Sequence, residues 1–354
     1  MIQQDPSSSE QNQQQQHHHN DENVPKTKQR KLSIREVEER HTFRIASFNV
    51  ENLYGRYCFN KAQMAKISKQ CLGRKGSLEF GVNDVQTNLT IADEDSKRIT
   101  AEAIKQVNAD VICLMEVESL QVLDSFNEKY LQSMNYAYSI LIDGRDPRSI
   151  DVGVLSRYPI VNIRSNRHAT YPGEKTRYIF SRDLLELDIE FPGNNNLTIY
   201  ATHLTSMSKG REESKDRRLV QVDYICDRIE KSWKDKNYKG NFIVLGDMND
   251  YNDSETSLGK LLKHDHMADI ISQRLPSDEQ WTHYYNRGNA YNQLDYMFIS
   301  KHLLLRNPRA KPVIFRKGLP KRAHSFTGKR IKGVGQNEPK ASDHCPVYVD
   351  LSFD

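Results

Sequence analysis

The chain has 354 residues, with 51 Lys and Arg set against 47 Asp and Glu, a net charge of +4 and 37% hydrophobic residues, enough to build a sizeable core in one large domain or two ordinary ones. So small a net charge excludes a histone-like polycation, and any anionic partner has to be met by a local patch. The cysteines, Cys58, Cys71, Cys113, Cys226 and Cys345, are odd in number and lack CxxC spacing, which argues against a structural zinc site and favours a reducing compartment.

Residues 1–40 are polar and low in complexity, with the run QNQQQQHHHN near their centre. Such a segment cannot bury enough apolar surface to offset its ordering entropy, so a disordered tail is expected, with the folded domain over 41–354. The start of the chain has no apolar stretch of signal-peptide or membrane-spanning type, and a cytoplasmic, monomeric protein is expected. Arg44 to Val50 alternates like a strand and runs into Glu51 and Asn52. Residues 54–93 carry Gly55, Gly73, Gly76 and Gly81 without clear periodicity, and so long a connector reads as an insertion or a functional loop. Glu94 to Asn108 is helical by pattern, with Ile99, Ala103 and Val107 on one face. The short apolar run Asp110 to Met115 then reads as a buried strand ending at Glu116.

Ser119 to Met134 is a second amphipathic helix. Strands follow at Asp151 to Leu155, Leu184 to Phe191 and Leu197 to Leu204, the last carrying His203 at its end. Lys215 to Trp233 is a long helix whose inner stripe is Leu219, Val222, Cys226, Ile229 and Trp233. Phe242 to Leu245 is apolar and β-branched, and Gly246 ends it in front of a polar turn carrying Asp247, Asn249 and Asp250. Two closing strands, Leu294 to Ile299 and Val347 to Leu351, are accompanied by Asp295 and by Ser342, Asp343 and His344. No repeat of fixed period is present. Mixed strands and helices of this kind predict face-to-face sheets covered by helices.

One placement recurs. Asn49, Glu116, His203, Asp247, Asn249, Asp295, Asp343 and His344 all lie at strand termini or in the turns beside them. Together they describe an oxygen-rich site with imidazoles nearby and no thiolate, a donor set suited to Mg2+ or Mn2+. Hydrolysis of a phosphate ester needs such a set: a cation to neutralise phosphate charge, a carboxylate or imidazole to position water, and neutral donors for the non-bridging oxygens. Simpler readings stand beside this one: Glu51 as a surface acid, Asp343 as a cap of the closing strand, His203 as a structural histidine.

The segments FNVENL, DVICLMEV, DVGVLSRYPI, ATHL, LGDMND, LDYMFIS and SDHCPV, in that order, resemble the endonuclease/exonuclease/phosphatase family, the DNase I-like metal-dependent phosphoesterases. EVESLQVLDSF with GRDPRSIDVGVLSR is most similar to the branch of predicted bacterial nucleases. The resemblance implies an α/β (α+β) four-layer αββα sandwich with the active site at one end of the paired sheets. It also implies Glu116 as principal metal ligand, with Asn49, Glu51 and Asp343 beside it, and Asp295 orienting His344. Asp247 would position or deprotonate water, Asn249 would hold a phosphate oxygen, and His203 would contact the phosphate or protonate the leaving group. Family members differ on whether His or Asp is the base.

The substrate expected is nucleic acid. Residues 316–341 form a basic, Gly-containing segment just before Asp343 and His344, and Lys329, Arg330 and Lys332 within it are candidates for gripping a phosphate backbone. Arg145, Arg148 and Arg157, flanking the DVGVL strand, are further candidates. A phosphoinositide or sphingolipid phosphoesterase uses the same chemistry, but no amphipathic anchor segment supports it. An inactive binding relative would have lost site residues, and none of the expected positions is missing.

Overall fold

The computed structural model describes residues 42–55, 57–59, 89–91, 93–235 and 240–353. The tail expected over 1–40 and most of the 54–93 insertion lie outside the described residues. Strand β1 is Phe43–Leu53 and helix α1 Glu94–Val107, followed by β2 (Val111–Val117), α2 (Leu120–Tyr130), β3 (Tyr138–Leu141), β4 (Asp151–Ser156), β5 (Ile160–Ser165), β6 (Leu185–Phe191) and β7 (Asn195–His203). The second half carries α3 (Arg211–Asp235), β8 (Phe242–Asp247), α4 (Gly259–Leu262), β9 (Met267–Asp269), α5 (Ile270–Arg274), β10 (Asp295–Ser300), α6 (Lys301–Arg306), β11 (Val313–Ile314) and β12 (Val347–Leu351).

These strands build two 6-stranded sheets, in the orders β11-β12-β1-β2-β4-β3 and β9-β10-β8-β7-β6-β5. Within each sheet one central pair is parallel, β1 with β2 and β7 with β8, and the other named pairs are antiparallel. Each parallel pair is joined by a helical crossover, α1 in the first case and α3 in the second, as parallel neighbours require.

Side-chain alternation sorts the strands into layers. Ile45, Val111, Cys113, Val154, Leu187, Ile199, Ile243, Leu245, Met297 and Val349 meet between the sheets. The opposite faces bear helices: Ala46, Phe48, Ile112 and Leu114 pack against Ile99, Ile104, Leu123 and Phe126 of α1 and α2, and Tyr200, Phe242, Val244 and Phe298 pack against Val222, Ile225 and Ile229 of α3. Burial of each such aliphatic side chain contributes about 1.5–3 kcal/mol. The result is the expected four-layer αββα sandwich. The stripe of α3 departs from expectation at one position: Leu219 is 38% exposed while Arg218 is fully buried. The Arg218 guanidinium bonds Ser214 Oγ at 2.6 Å and Ser257 Oγ at 3.1 Å and faces Asp250 at 3.4 Å, so its partners lie inside rather than in solvent.

Candidate active site

Three strands of the second sheet deliver side chains in one row. His203 ends β7, Asp247 ends β8 and Asp295 begins β10, and the register pairs His203 with Asp247 and Asp247 with Asp295. Gly246 is required beneath them: its φ is +138°, and a Cβ would lie 1.8 Å from Thr202 O and 2.9 Å from Met115 Cε. The turn after β8 brings the Asn249 backbone N–H to Asp247 Oδ1 at 2.9 Å, with Asn249 itself at φ +50°. One amide N–H of Asn249 donates to Leu204 O at 3.1 Å.

The first sheet supplies the opposing wall. Asn49, near the end of β1, points between the sheets and donates from Nδ2 to Asp247 Oδ2 at 3.0 Å. On β2, residues 111, 113 and 115 face the inner layer, whereas Val117 faces the helices. The phase changes at Glu116, whose φ of +69° sits where the ladders to both neighbouring strands shift register. This bulge turns Glu116 away from the helix-covered face and toward the row on the other sheet, 4.0 Å from His203 Nε2 and 3.9 Å from Arg148. Just before β12, Ser342 Oγ donates to Asn49 O at 2.7 Å and accepts the His344 N–H at 3.0 Å. That hinge seats the His344 ring with Nδ1 2.8 Å from Asp295 Oδ2 and Nε2 3.7 Å from Asp247 Oδ2.

Burial lifts Asp247 to about 7, with His344 charge pulling against it and Asp295 adding to it. Burial lowers His344, but Asp295 and Asp247 outweigh it and raise the imidazole well above its ordinary value. Asp247 and His344 titrate as a pair; we assign their proton to His344, which holds the short contact to Asp295. His203 is pushed well below its ordinary value by burial and then by Arg182, His344 and Arg148, so it is a neutral ring. Glu116 is raised by burial against the opposing charge of Arg148.

The donor set fits a hard divalent cation. Glu116 is nearly buried, its side chain 12% exposed, yet it accepts no hydrogen bond among the described residues. A carboxylate in that state calls for a positive partner. Asp247, Asp295 and His344 offer ligating atoms within 4.8 Å of one another, as do His283, Asp343 and His344. In the first trio the His344–Asp295 hydrogen bond occupies Nδ1, so that group reads better as an orienting relay than as a cage.

A sequence profile described as the endonuclease/exonuclease/phosphatase family matches residues 44–352. The chain belongs to this family. No curated protein matches it by sequence. Truncated TDP2 from Caenorhabditis elegans is similar at 16% identity and TM-score 0.55, over 88% of this chain and 97% of that one. The human Nocturnin catalytic domain with bound sulfate gives 17% and 0.56 over 89% and 96%, and D. rerio TDP2 complexed with single strand DNA product gives 15% and 0.54 over 88% and 99%. At these identities the likeness is one of fold, and it matches the DNase I-like sandwich.

Within this family fold, Asn49, Glu116, His203, Asp247, Asn249, Asp295 and His344 come to one end of the two sheets. Glu51 and Asp343 lie at its rim, linked by the Asp343 N–H to Glu51 Oε2 at 2.9 Å. Glu51 also pairs with Lys340 at 2.8 Å, while burial and then Asp343 push it up to about 7. Asp343 is raised by burial, but its contact with His283 and the charges of His344 and Lys340 prevail and leave it below its ordinary value. Arg148 reaches Glu116.

Three expectations are corrected. Arg157 lies at the opposite end of its sheet, paired with Asp110 at 3.1 Å and Asn108 at 2.5 Å. Arg330 is spent inside its own loop, donating to the carbonyls of Leu319, Pro320, Ala323 and Phe326. Lys329 and Lys332 flank Arg98, Glu102 and Gln106 on the outer side of α1, away from the strand ends.

Sequence reasoning missed Arg182 and His283. Arg182, 3% exposed, donates to His203 O at 3.1 Å and Leu204 O at 2.5 Å and pairs with Asp146 at 3.0 Å, clamping the end of β7. His283 packs against His344 with ring centroids 4.5 Å apart and planes tilted by 46°. Neither sits at the end of an apolar run, so the signal that exposed the others does not mark them.

Proposed function

We propose that this chain is a divalent-metal-dependent phosphodiesterase and that its substrate is nucleic acid. The observation that carries the proposal is the convergence of Glu116, Asn49, Asp247, Asn249, Asp295 and His344 at one end of the sandwich, in a family whose members are phosphoesterases. Glu116 would hold the ion, with Asn49 beside it and Glu51 and Asp343 at its rim. A hard oxygen-rich set of this kind suits Mg2+ and also admits Mn2+. When bound, the ion neutralises charge on the phosphate.

The chain's own residues divide the remaining work. Asp295 keeps His344 charged and in one orientation, so that its Nε2–H can donate to a non-bridging phosphate oxygen. Asp247, held by Asn49 and the Asn249 N–H and tuned close to neutral pH, is placed to position water and accept its proton. Asn249 has a second amide N–H free for a phosphate oxygen beyond the one given to Leu204. His203, neutral and with Nε2 3.4 Å from Asp247, can contact the leaving oxygen by hydrogen bonding but, lacking a second ring proton, is not the group that protonates it. Support for a nucleic-acid substrate is the TDP2 relative bound to a single-stranded DNA product and the guanidinium of Arg148 at the mouth of the site.

The test is turnover of plasmid and oligonucleotide DNA with Mg2+, with and without EDTA, by the parent, Asp247→Ala and His344→Ala. Loss of cleavage in both variants supports the assignment; parental rates in both would refute it. RNA, abasic DNA and inositol phosphates in the same assay separate the substrate classes.

A further inference from the structure

Beside the strand-end cluster lies a second cationic hollow that takes no part in the chemistry above. Arg145, Arg177 and Arg217 line it together with Tyr171, Tyr178 and Thr176, and no Asp or Glu lines it. Its construction fixes the cations in place. Arg145 stacks on the Tyr178 ring with its guanidinium carbon 3.5 Å from the centroid, and Arg177 stacks on Tyr171 at 3.9 Å. Arg145 is further held by the carbonyl of Arg167 and by His168 Nδ1. Arg217, contributed by α3, has a buried Nε–H with no hydrogen-bond partner, and it forms no ion pair among the described residues. Among the described residues the one carboxylate on these three arginines is Glu174, in an exposed pair 3.1 Å from Arg177, and such pairs contribute little. Guanidinium groups set over rings, as Arg145 and Arg177 are, with unspent donors and a single exposed counter-charge among the three, are the chemistry that recognises a phosphate.

The hollow is tied to the reacting end of the sandwich by two short stretches of chain. Arg145 and Arg148 are three residues apart, at most roughly 10 Å of backbone, and Arg148 is the residue that reaches Glu116. Ser181, in the wall of the hollow, accepts the Arg145 N–H, and the next residue is Arg182, which clamps His203. About 10 Å is also the rise of some three nucleotides along one strand.

We propose that Arg145, Arg177 and Arg217 form a subsite for a backbone phosphate flanking the scissile one, so that this chain prefers a polynucleotide strand over an isolated phosphodiester. The inference rests on the nucleic-acid reading of the adjacent site and deepens it.

Two substrates separate the two ideas. Bis(p-nitrophenyl) phosphate offers one phosphodiester and cannot reach the hollow; a single-stranded oligonucleotide can. The double variant Arg177→Ala/Arg217→Ala should raise KM for the oligonucleotide about ten-fold, with kcat unchanged and the salt dependence of binding shallower by about one unit in log–log slope. Its turnover of the small ester should match the parent. Fluorescence anisotropy of a labelled oligonucleotide in EDTA reads the same loss of affinity without any cleavage. Glu174→Ala, which frees Arg177, should tighten binding, a gain that misfolding cannot imitate. Unchanged oligonucleotide affinity in the double variant, or equal losses on both substrates, would overturn the subsite. Failure of the parent to hydrolyse either substrate would instead count against the phosphodiesterase reading, and the anisotropy measurement would still decide the subsite.

Discussion

At the scale of single residues, the His344–Asp295 contact sets the state of the site. An imidazole with Nδ1 2.8 Å from a buried carboxylate is held charged and in one orientation. Asp295→Asn keeps the size of the side chain and removes that charge, and kcat should fall by about 10^2–10^4 with little change in KM, measured on oligonucleotide cleavage. A different carboxylate governs stability rather than turnover. Asp183, ahead of β6, accepts the Asn166 N–H at 2.8 Å, and burial raises it to about 6. Its folded value thus exceeds the unfolded one of about 3.9. The associated stability is present in full below about pH 4 and is lost as pH rises through about 6, a change on the order of 2–3 kcal/mol. Asp183→Asn should remove that decline, so that denaturant titrations of parent and variant diverge steadily between those pH values.

At the scale of elements, two backbone irregularities aim the chemistry. Gly246 lets β8 pass against Thr202, and Gly246→Ala combines a forbidden approach with a positive φ; a loss of about 3 kcal/mol is expected in equilibrium unfolding. The bulge at Glu116 swings its carboxylate out of the strand's normal alternation. If Glu116 holds the ion, Mg2+ at about 100 times its dissociation constant should stabilise the parent by about 2.7 kcal/mol, and Glu116→Gln should abolish that thermal shift. The core strands were legible because Phe48, Leu114, Leu245 and their neighbours form short apolar runs ending in polar residues. Glu116 was legible as a strand end, yet strict alternation would have turned it toward α2, and nothing local in the sequence announces the bulge. Strand β5, IVNIRS, was not legible: it is an edge strand with Val161 and Ile163 45% exposed, so it lacks the buried run on which strand recognition depends. Arg182 was hidden for a different reason, since its partners are backbone carbonyls and a carboxylate 21 to 36 positions away.

At the scale of the whole molecule, charge placement differs from its placement along the chain. The basic stretch before Asp343 looked suited to the cleft because it is near in sequence. In space Lys329 and Lys332 lie over α1, Arg330 ties the loop to itself, and Lys340, paired with Glu51, reaches the rim of the site. Lys329→Ala/Lys332→Ala should therefore change oligonucleotide KM by no more than about two-fold, whereas Arg330→Ala should lower stability by about 2 kcal/mol by stripping a charged donor from four carbonyls, read by thermal or denaturant unfolding. Among the described residues, no helix is long and apolar enough to cross a membrane.

The alignment of His203, Asp247 and Asp295 on adjacent strands has a broader consequence. Their lateral separation is dictated by the interval at which peptide groups bond across a sheet, about 4.7–4.9 Å, and not by any packing peculiar to this chain. The main chain thus acts as a ruler for the side chains it displays. Loops, outer helices and core composition are free to drift, as identities of 14–17% between this chain and solved structures of the same fold illustrate, and the ruler keeps its graduations.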